Sequence, residues 1–123
     1  MGMTLAQVAL GGALGASGRY LLGIAAIRTM GPGFPWGTLA VNVLGSLAMG
    51  ALVALLARLG NAWAPFLMTG LLGGFTTFSA FSLDAVALWE RGAAGLAAGY
   101  VAASVALSLL ALVLGLWAGR VLL

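Results

Sequence analysis

The stretch GGFTTFSAFS, Gly73–Ser82, opens with two glycines and then interleaves phenylalanines with threonine and serine, all inside a long apolar run. Each glycine in a helix interior costs about 1 kcal/mol relative to alanine. Hydroxyl groups in hydrocarbon cost more unless they find hydrogen-bond partners. A span written this way is expected to break, and the break needs a purpose.

The surrounding chain sets the environment. Of its 123 residues, 63% are hydrophobic and 6% charged, with a mean hydropathy of +1.19. A soluble domain carries about 25% charged residues, so this chain cannot cover itself with water-compatible groups and is an integral membrane protein. Its charges are Arg19, Arg28, Arg58, Arg91, Arg120, Asp84 and Glu90. They leave four uncharged intervals, Met1–Gly18, Thr29–Ala57, Leu59–Leu83 and Gly92–Gly119, each close to or above the roughly 20 residues that a helix needs to span hydrocarbon.

The pI near 10.8 reflects a net charge of only +3 on scattered arginines. There is no basic patch of the kind nucleic acid requires. Cysteine, histidine and lysine are all missing, so no nucleophile–base pair can be composed and the chain is not expected to be an enzyme. Two acids do not make a transition-metal site. The N-terminus lacks a basic segment before its apolar run and reads as the first span, not as a cleaved signal.

Four helices are expected over about Thr4–Ala26, Trp36–Leu59, Trp63–Trp89 and Ala93–Arg120, forming one domain over residues 1–123. Pro32, Gly33 and Pro35 separate the first two, Gly60, Asn61 and Pro65 the next, and Arg91-Gly92 the last. Trp36, Trp63 and Trp89 fall at span ends, where indole rings favour the headgroup layer. The loops are too short to fold, so function is expected within the membrane. Arg58 and Arg120 fall on one side of a four-span chain and Arg19, Arg28 and Arg91 on the other. So even a split gives the positive-inside rule little to act on, and insertion in both orientations is expected. Small residues recur four apart at Gly11/Gly15, Ser46/Gly50, Gly70/Gly74, Gly95/Gly99 and Gly115/Gly119, a spacing that lets helices approach closely in lipid.

Two polar stripes cross the apolar spans. Thr38, Asn42 and Ser46 share one face of the second helix, and Tyr100, Ser104 and Ser108 share one face of the fourth. An intramembrane asparagine often ties helices together, and serine often bonds its own i−4 carbonyl. Two stripes on different helices also suit a narrow polar track without full charges. In the third span, an interruption at Gly73–Thr77 would free backbone groups that must be buried in protein or face water or an ion. Phe78 and Phe81, three apart, then lie on nearly the same face, with positive ring edges that suit a small anion. Packing phenylalanines explain the same spacing.

With these residues in view, the chain resembles the small fluoride channel family known as Fluc or CrcB. GGALGASGRY (Gly11–Tyr20), GTLAVNVLGS (Gly37–Ser46) and GGFTTFSAFS carry the resemblance, in the family's order and spacing. It implies an all-α membrane protein of four transmembrane helices with a broken third helix, assembled as an antiparallel, dual-topology homodimer in a prokaryotic cell membrane. It implies two pores that export fluoride passively. Asn42, Phe78 and Phe81 would be pore residues, Tyr100, Ser104 and Ser108, with Thr38, the polar track, and Arg19 a vestibule residue. A central structural sodium ion would be held by the backbone carbonyls of Gly73 and Thr76 from both subunits. Asp84 stands where members often carry glutamate, and Ala80 replaces a threonine common in the family. The rival readings are proton-coupled. A small multidrug exporter needs an acid deep in the first helix, where residues 1–18 have none. A fluoride/proton antiporter needs a titratable group at mid-span.

Overall fold

The computed structural model describes residues 1–122. Its helices are α1 (Gly2–Met30), α2 (Trp36–Leu59), a π-helical segment (Pro65–Leu72) that runs directly into α3 (Gly73–Phe75), then α4 (Phe78–Glu90) and α5 (Ala94–Leu122). Four continuous stretches are long and apolar enough to cross a membrane: Gly2–Met30, Trp36–Leu59, Pro65–Glu90 and Ala94–Leu122. The chain is a multi-pass membrane protein. Each span runs past the charge that closes its interval, Arg19, Arg58, Asp84 and Arg120 in turn, because a single charge does not end a helix.

Three glycines end the turns. Gly31, Gly60 and Gly92 have φ of 79°, 92° and 84°, a left-handed conformation that a side chain disfavours. The N–H groups of Gly31 and Gly60 each close a last helical turn, on Ile27 O and Leu56 O.

Close approach of backbones holds the bundle together. A Cβ on Gly50 would lie 2.1 Å from the Leu112 carbonyl oxygen, and one on Gly115 would lie 2.1 Å from that of Leu47, so α2 and α5 touch main chain to main chain. Gly11 and Gly15 press α1 in the same way onto Phe66 O and Leu71 O of the π-helical segment. Gly74 faces Gly12 O, where a Cβ would sit at 2.8 Å. Such contacts replace the hydrophobic drive that lipid does not supply. Gly95 and Gly99 differ, since nothing lies within 4 Å of a Cβ on either. That pair does no packing within the protomer.

The third span breaks, but not at its glycines. Gly73 and Gly74 are helical; Thr76 (φ −86°, ψ 159°) and Thr77 (φ −155°, ψ 125°) are extended. Arg19 lies inside α1, where its Nε donates to the Gly74 carbonyl at 3.3 Å. It therefore belongs to the level of the break and not to a loop, leaving Arg58 and Arg120 at one end of the bundle and Arg28 and Arg91 at the other.

Candidate functional site

The break is made by a side chain from another helix. In a continuous helix the Thr77 N–H would bond the Gly73 carbonyl. Here it donates to Asn42 Oδ1 at 2.8 Å, while Asn42 Nδ2 donates back to the Thr77 carbonyl at 3.0 Å. One amide side chain thus satisfies both polar groups of one extended residue. Thr77 also caps the next helix: its Oγ1 accepts the Ala80 N–H at 3.1 Å, the service an N-cap threonine performs. Taking the Thr77 and Ala80 amides in this way removes the helical donors of the Gly73 and Thr76 carbonyls. The Gly74 carbonyl receives Arg19 instead.

Beside the break lies a cavity of about 350 Å³ walled by α2, Thr76 and Thr77, the start of α4, and α5. It gathers Asn42, Ser46, Phe78, Phe81, Ser104 and Ser108, with aliphatic Met49, Val105, Leu109 and Leu112 around them. No ionised side chain lines it. Ser104 lines the cavity, and its Oγ is buried with no hydrogen-bond partner among the described residues. The Asn42 amide retains a second N–H beyond the one given to Thr77. The donors on offer are neutral.

The two phenylalanines have different surroundings. Their rings are 5.3 Å apart and tilted by 48°. Phe78 is 77% exposed on the protomer, whereas Phe81 is 9% exposed and packs in the core with Leu39, Leu88, Ala97 and Tyr100. Phe81 therefore serves both as packing and as cavity wall.

Tyr100 and Thr38 do not join this cavity. Tyr100 is fully buried; its ring lies 5.3 Å from Phe81 and 5.4 Å from Phe34, and its hydroxyl donates to Asp84 Oδ2 at 3.2 Å. Thr38 lines a second cavity of about 290 Å³ together with Phe34, Asp84 and Arg91. Tyr100 thus stands between two cavities. Arg19 lines neither. Gly73 is exposed on the outer face of the protomer, and Thr76 lines the first cavity, with its Oγ1 bonded to Leu72 O at 2.9 Å.

Sequence reasoning passed over Thr77, Phe34 and the Asp84–Tyr100 pair. Thr77 carries a detectable signal, a hydroxyl residue just ahead of an apolar helix. Phe34 and Asp84 gain their meaning only through partners distant in sequence.

A family model for CrcB-like protein, Camphor Resistance (CrcB), matches residues 6–116. The chain belongs to the CrcB-like family. It is 66% identical over 117 residues to the fluoride-specific ion channel FluC of Cereibacter sphaeroides (strain ATCC 17029 / ATH 2.4.9), covering 95% of this chain and 94% of that one. It is 62% identical to the protein of that name in Paracoccus denitrificans, over 95% of this chain and 94% of the other. For the Agrobacterium fabrum protein of the same name the figures are 56%, 96% and 97%. The family is one of ion channels, not enzymes, and the four spans occupy nearly the whole aligned length.

Proposed function

We propose that this protein is a fluoride-selective channel that lets fluoride leave the cytoplasm passively. The observation that carries the reading is the cavity at the break. It offers neutral donors, the unpartnered Ser104 hydroxyl and the spare Asn42 N–H, in an apolar surround free of ionised groups. Fluoride is small and strongly hydrated, so a pathway must replace water's hydrogen bonds at close range. Conduction also requires release, which neutral donors permit and a guanidinium would hinder. The near-full-length likeness to proteins named as fluoride-specific channels supports the same reading. Hydrogen fluoride would enter through the bilayer from an acidic exterior and ionise in the cytoplasm, and the anion would leave through the channel.

The finer elements of the proposal concern assembly. The working unit is an antiparallel homodimer with two pores, its subunits inserted in opposite orientations. The even division of the loop arginines supports this, and so does a third span that frees the carbonyl of Gly73, a residue exposed on the protomer. Two copies meeting there would bring four carbonyls together, those of Gly73 and Thr76 from each. That donor set suits a hard cation such as sodium, which would supply positive charge near the anion path and tie the two broken spans together. The chain's own part is to leave those carbonyls without helical donors and to keep Gly73 free of a side chain.

The test is fluoride efflux from liposomes containing the purified protein, followed with a fluoride electrode. Rapid efflux with chloride retained is expected. Efflux no faster than from empty liposomes would refute the reading, and a rate that tracks an imposed proton gradient would favour a proton-coupled exchanger.

A further inference from the structure

The second cavity, a mouth cavity at the α1–α2 loop end of the bundle that holds Asp84, has that loop, residues 31–35, in its wall, and the loop is tied down by two side chains. Phe34 packs edge-on against the buried Tyr100, with ring centroids 5.4 Å apart at 90°, and lies 4.6 Å from Trp36. Arg91, on the turn between α4 and α5, donates from Nη2 to the Gly33 carbonyl. Backbone bonds secure the ends of the loop, Gly31 N–H to Ile27 O, Trp36 N–H to Phe34 O and Leu39 N–H to Pro35 O. Pro32 and Pro35 have no N–H to contribute.

We propose that this loop is a lid over the mouth cavity, with Phe34 as its wedge and Arg91 as its latch. Lifting it breaks one charged hydrogen bond and withdraws one half-buried ring, and no helix need unwind. Gly31, at φ 79°, and Gly92, beside the latch at φ 84°, supply the left-handed turns at which the two segments pivot. Lifting would admit water to Thr38, Asp84 and the Tyr100 hydroxyl, which lie beneath or beside the loop. With the loop in place Thr38 and Asp84 are half-buried and Tyr100 is fully buried. As a gate on conduction the lid rests on the fluoride reading above; as a moving cover it does not.

The chain has no cysteine, so Thr38→Cys would place a single thiol in the mouth cavity. Its rate of modification by a small water-soluble methanethiosulfonate, measured on the detergent-solubilised protein, reports how often the lid is open. Arg91→Gln and Phe34→Ala should each raise that rate about tenfold or more, the factor implied by losing one charged hydrogen bond or an aromatic contact. Arg91→Lys, which keeps a cationic donor, should fall nearer the parent. Leu59→Cys, exposed at the far end of α2, should react at one rate in every background. Equal Thr38→Cys rates in the parent and in both variants would overturn the lid. Acceleration at Leu59→Cys as well would mean general loosening and would also count against it. Fluoride efflux of the parent is measured separately; its failure would remove the conduction reading and leave the labelling result standing.

Discussion

Asn42→Ala should collapse the break. The alanine variant leaves the Thr77 N–H and carbonyl without the partners they now hold at 2.8 and 3.0 Å. An unsatisfied buried polar group costs about 1–3 kcal/mol, so the two together cost roughly 2–6 kcal/mol. At 1.4 kcal/mol per factor of ten, the pinned geometry would lose roughly 30- to 10⁴-fold against its alternatives. The nearest alternative is a rewound turn in which Thr77 N–H returns to the Gly73 carbonyl, which makes the third span continuous and removes the freed acceptors. Asn42→Asp should behave almost as badly. One carboxylate oxygen can still accept from Thr77 N–H, but the other would face the Thr77 carbonyl with no proton between them. Any negative charge that persisted would also repel an anion in a medium that screens poorly. Asn42→Ser keeps one hydroxyl at shorter reach and should retain partial flux.

Two measurements check this together. Fluoride efflux from liposomes should fall to background for Asn42→Ala and Asn42→Asp and to an intermediate rate for Asn42→Ser. Hydrogen exchange at the peptide containing Thr77 should change in the alanine variant, because the acceptor of that amide is different. Parental efflux together with parental exchange in Asn42→Ala would refute the pinning argument. Parental exchange with abolished efflux would instead make Asn42 a ligand of the permeating ion and nothing more.

Further outcomes are expected. Phe81→Ile should slow efflux and also lower thermal stability, because Phe81 is 9% exposed in the core; Phe78→Ile, at a position 77% exposed, should slow efflux with stability unchanged. If both conduct normally, the phenylalanines act in packing alone. Gly50→Ala and Gly115→Ala should each destabilise the bundle severely, since the new Cβ would sit 2.1 Å from a backbone oxygen, whereas Gly95→Ala should leave the protomer's own stability unaffected; equal melting temperatures for all three would contradict the packing. Two or three lysines added between Gly60 and Ala64 should bias every copy to one orientation and abolish efflux until an oppositely biased copy is supplied. Full activity of the single-orientation protein would exclude the antiparallel dimer.

Much of this architecture is legible in the chain because hydrocarbon is a severe solvent. Seven charges spaced as they are leave room for four spans and little else, and glycine and proline mark the turns. The four-residue spacing of small residues likewise identifies Gly11/Gly15 and Gly115/Gly119 as contact points. It does not say which pairs act within the protomer, so Gly95/Gly99 looks the same in sequence and touches nothing. The break falls within the expected Gly73–Thr77, but its agent is misread for a similar reason. Gly73 and Gly74 invite the view that flexible residues unwind the helix. In the fold Gly74 is a close-contact residue against Gly12, and the unwinding falls at Thr76 and Thr77. The agent is Asn42, 35 residues away. Competition for a backbone amide by a remote side chain leaves no local pattern to read. Tyr100 teaches the same lesson: its spacing groups it with Ser104 and Ser108, but its hydroxyl is committed to Asp84.

The accounting of backbone groups at the break explains why the segment alternates as it does. Interrupting a helix strands the carbonyls before the gap and the amides after it. Here the Gly74 carbonyl goes to Arg19, the Thr77 N–H and carbonyl to Asn42, and the Ala80 N–H to the Thr77 hydroxyl. Thr76 and Ser82 hydroxyls return to their own i−4 carbonyls, on Leu72 and Phe78. The hydroxyl residues of the segment are therefore largely consumed in making the interruption tolerable within the membrane, and are not themselves spare ligands. The carbonyls of Gly73 and Thr76 are left as acceptors, and Phe78 and Ser79 begin α4 with amides that have no preceding turn to bond. A single gap thus presents acceptors on one side and donors on the other, with Arg19 as the ionised side chain bonded at it and none in the wall of the adjoining cavity.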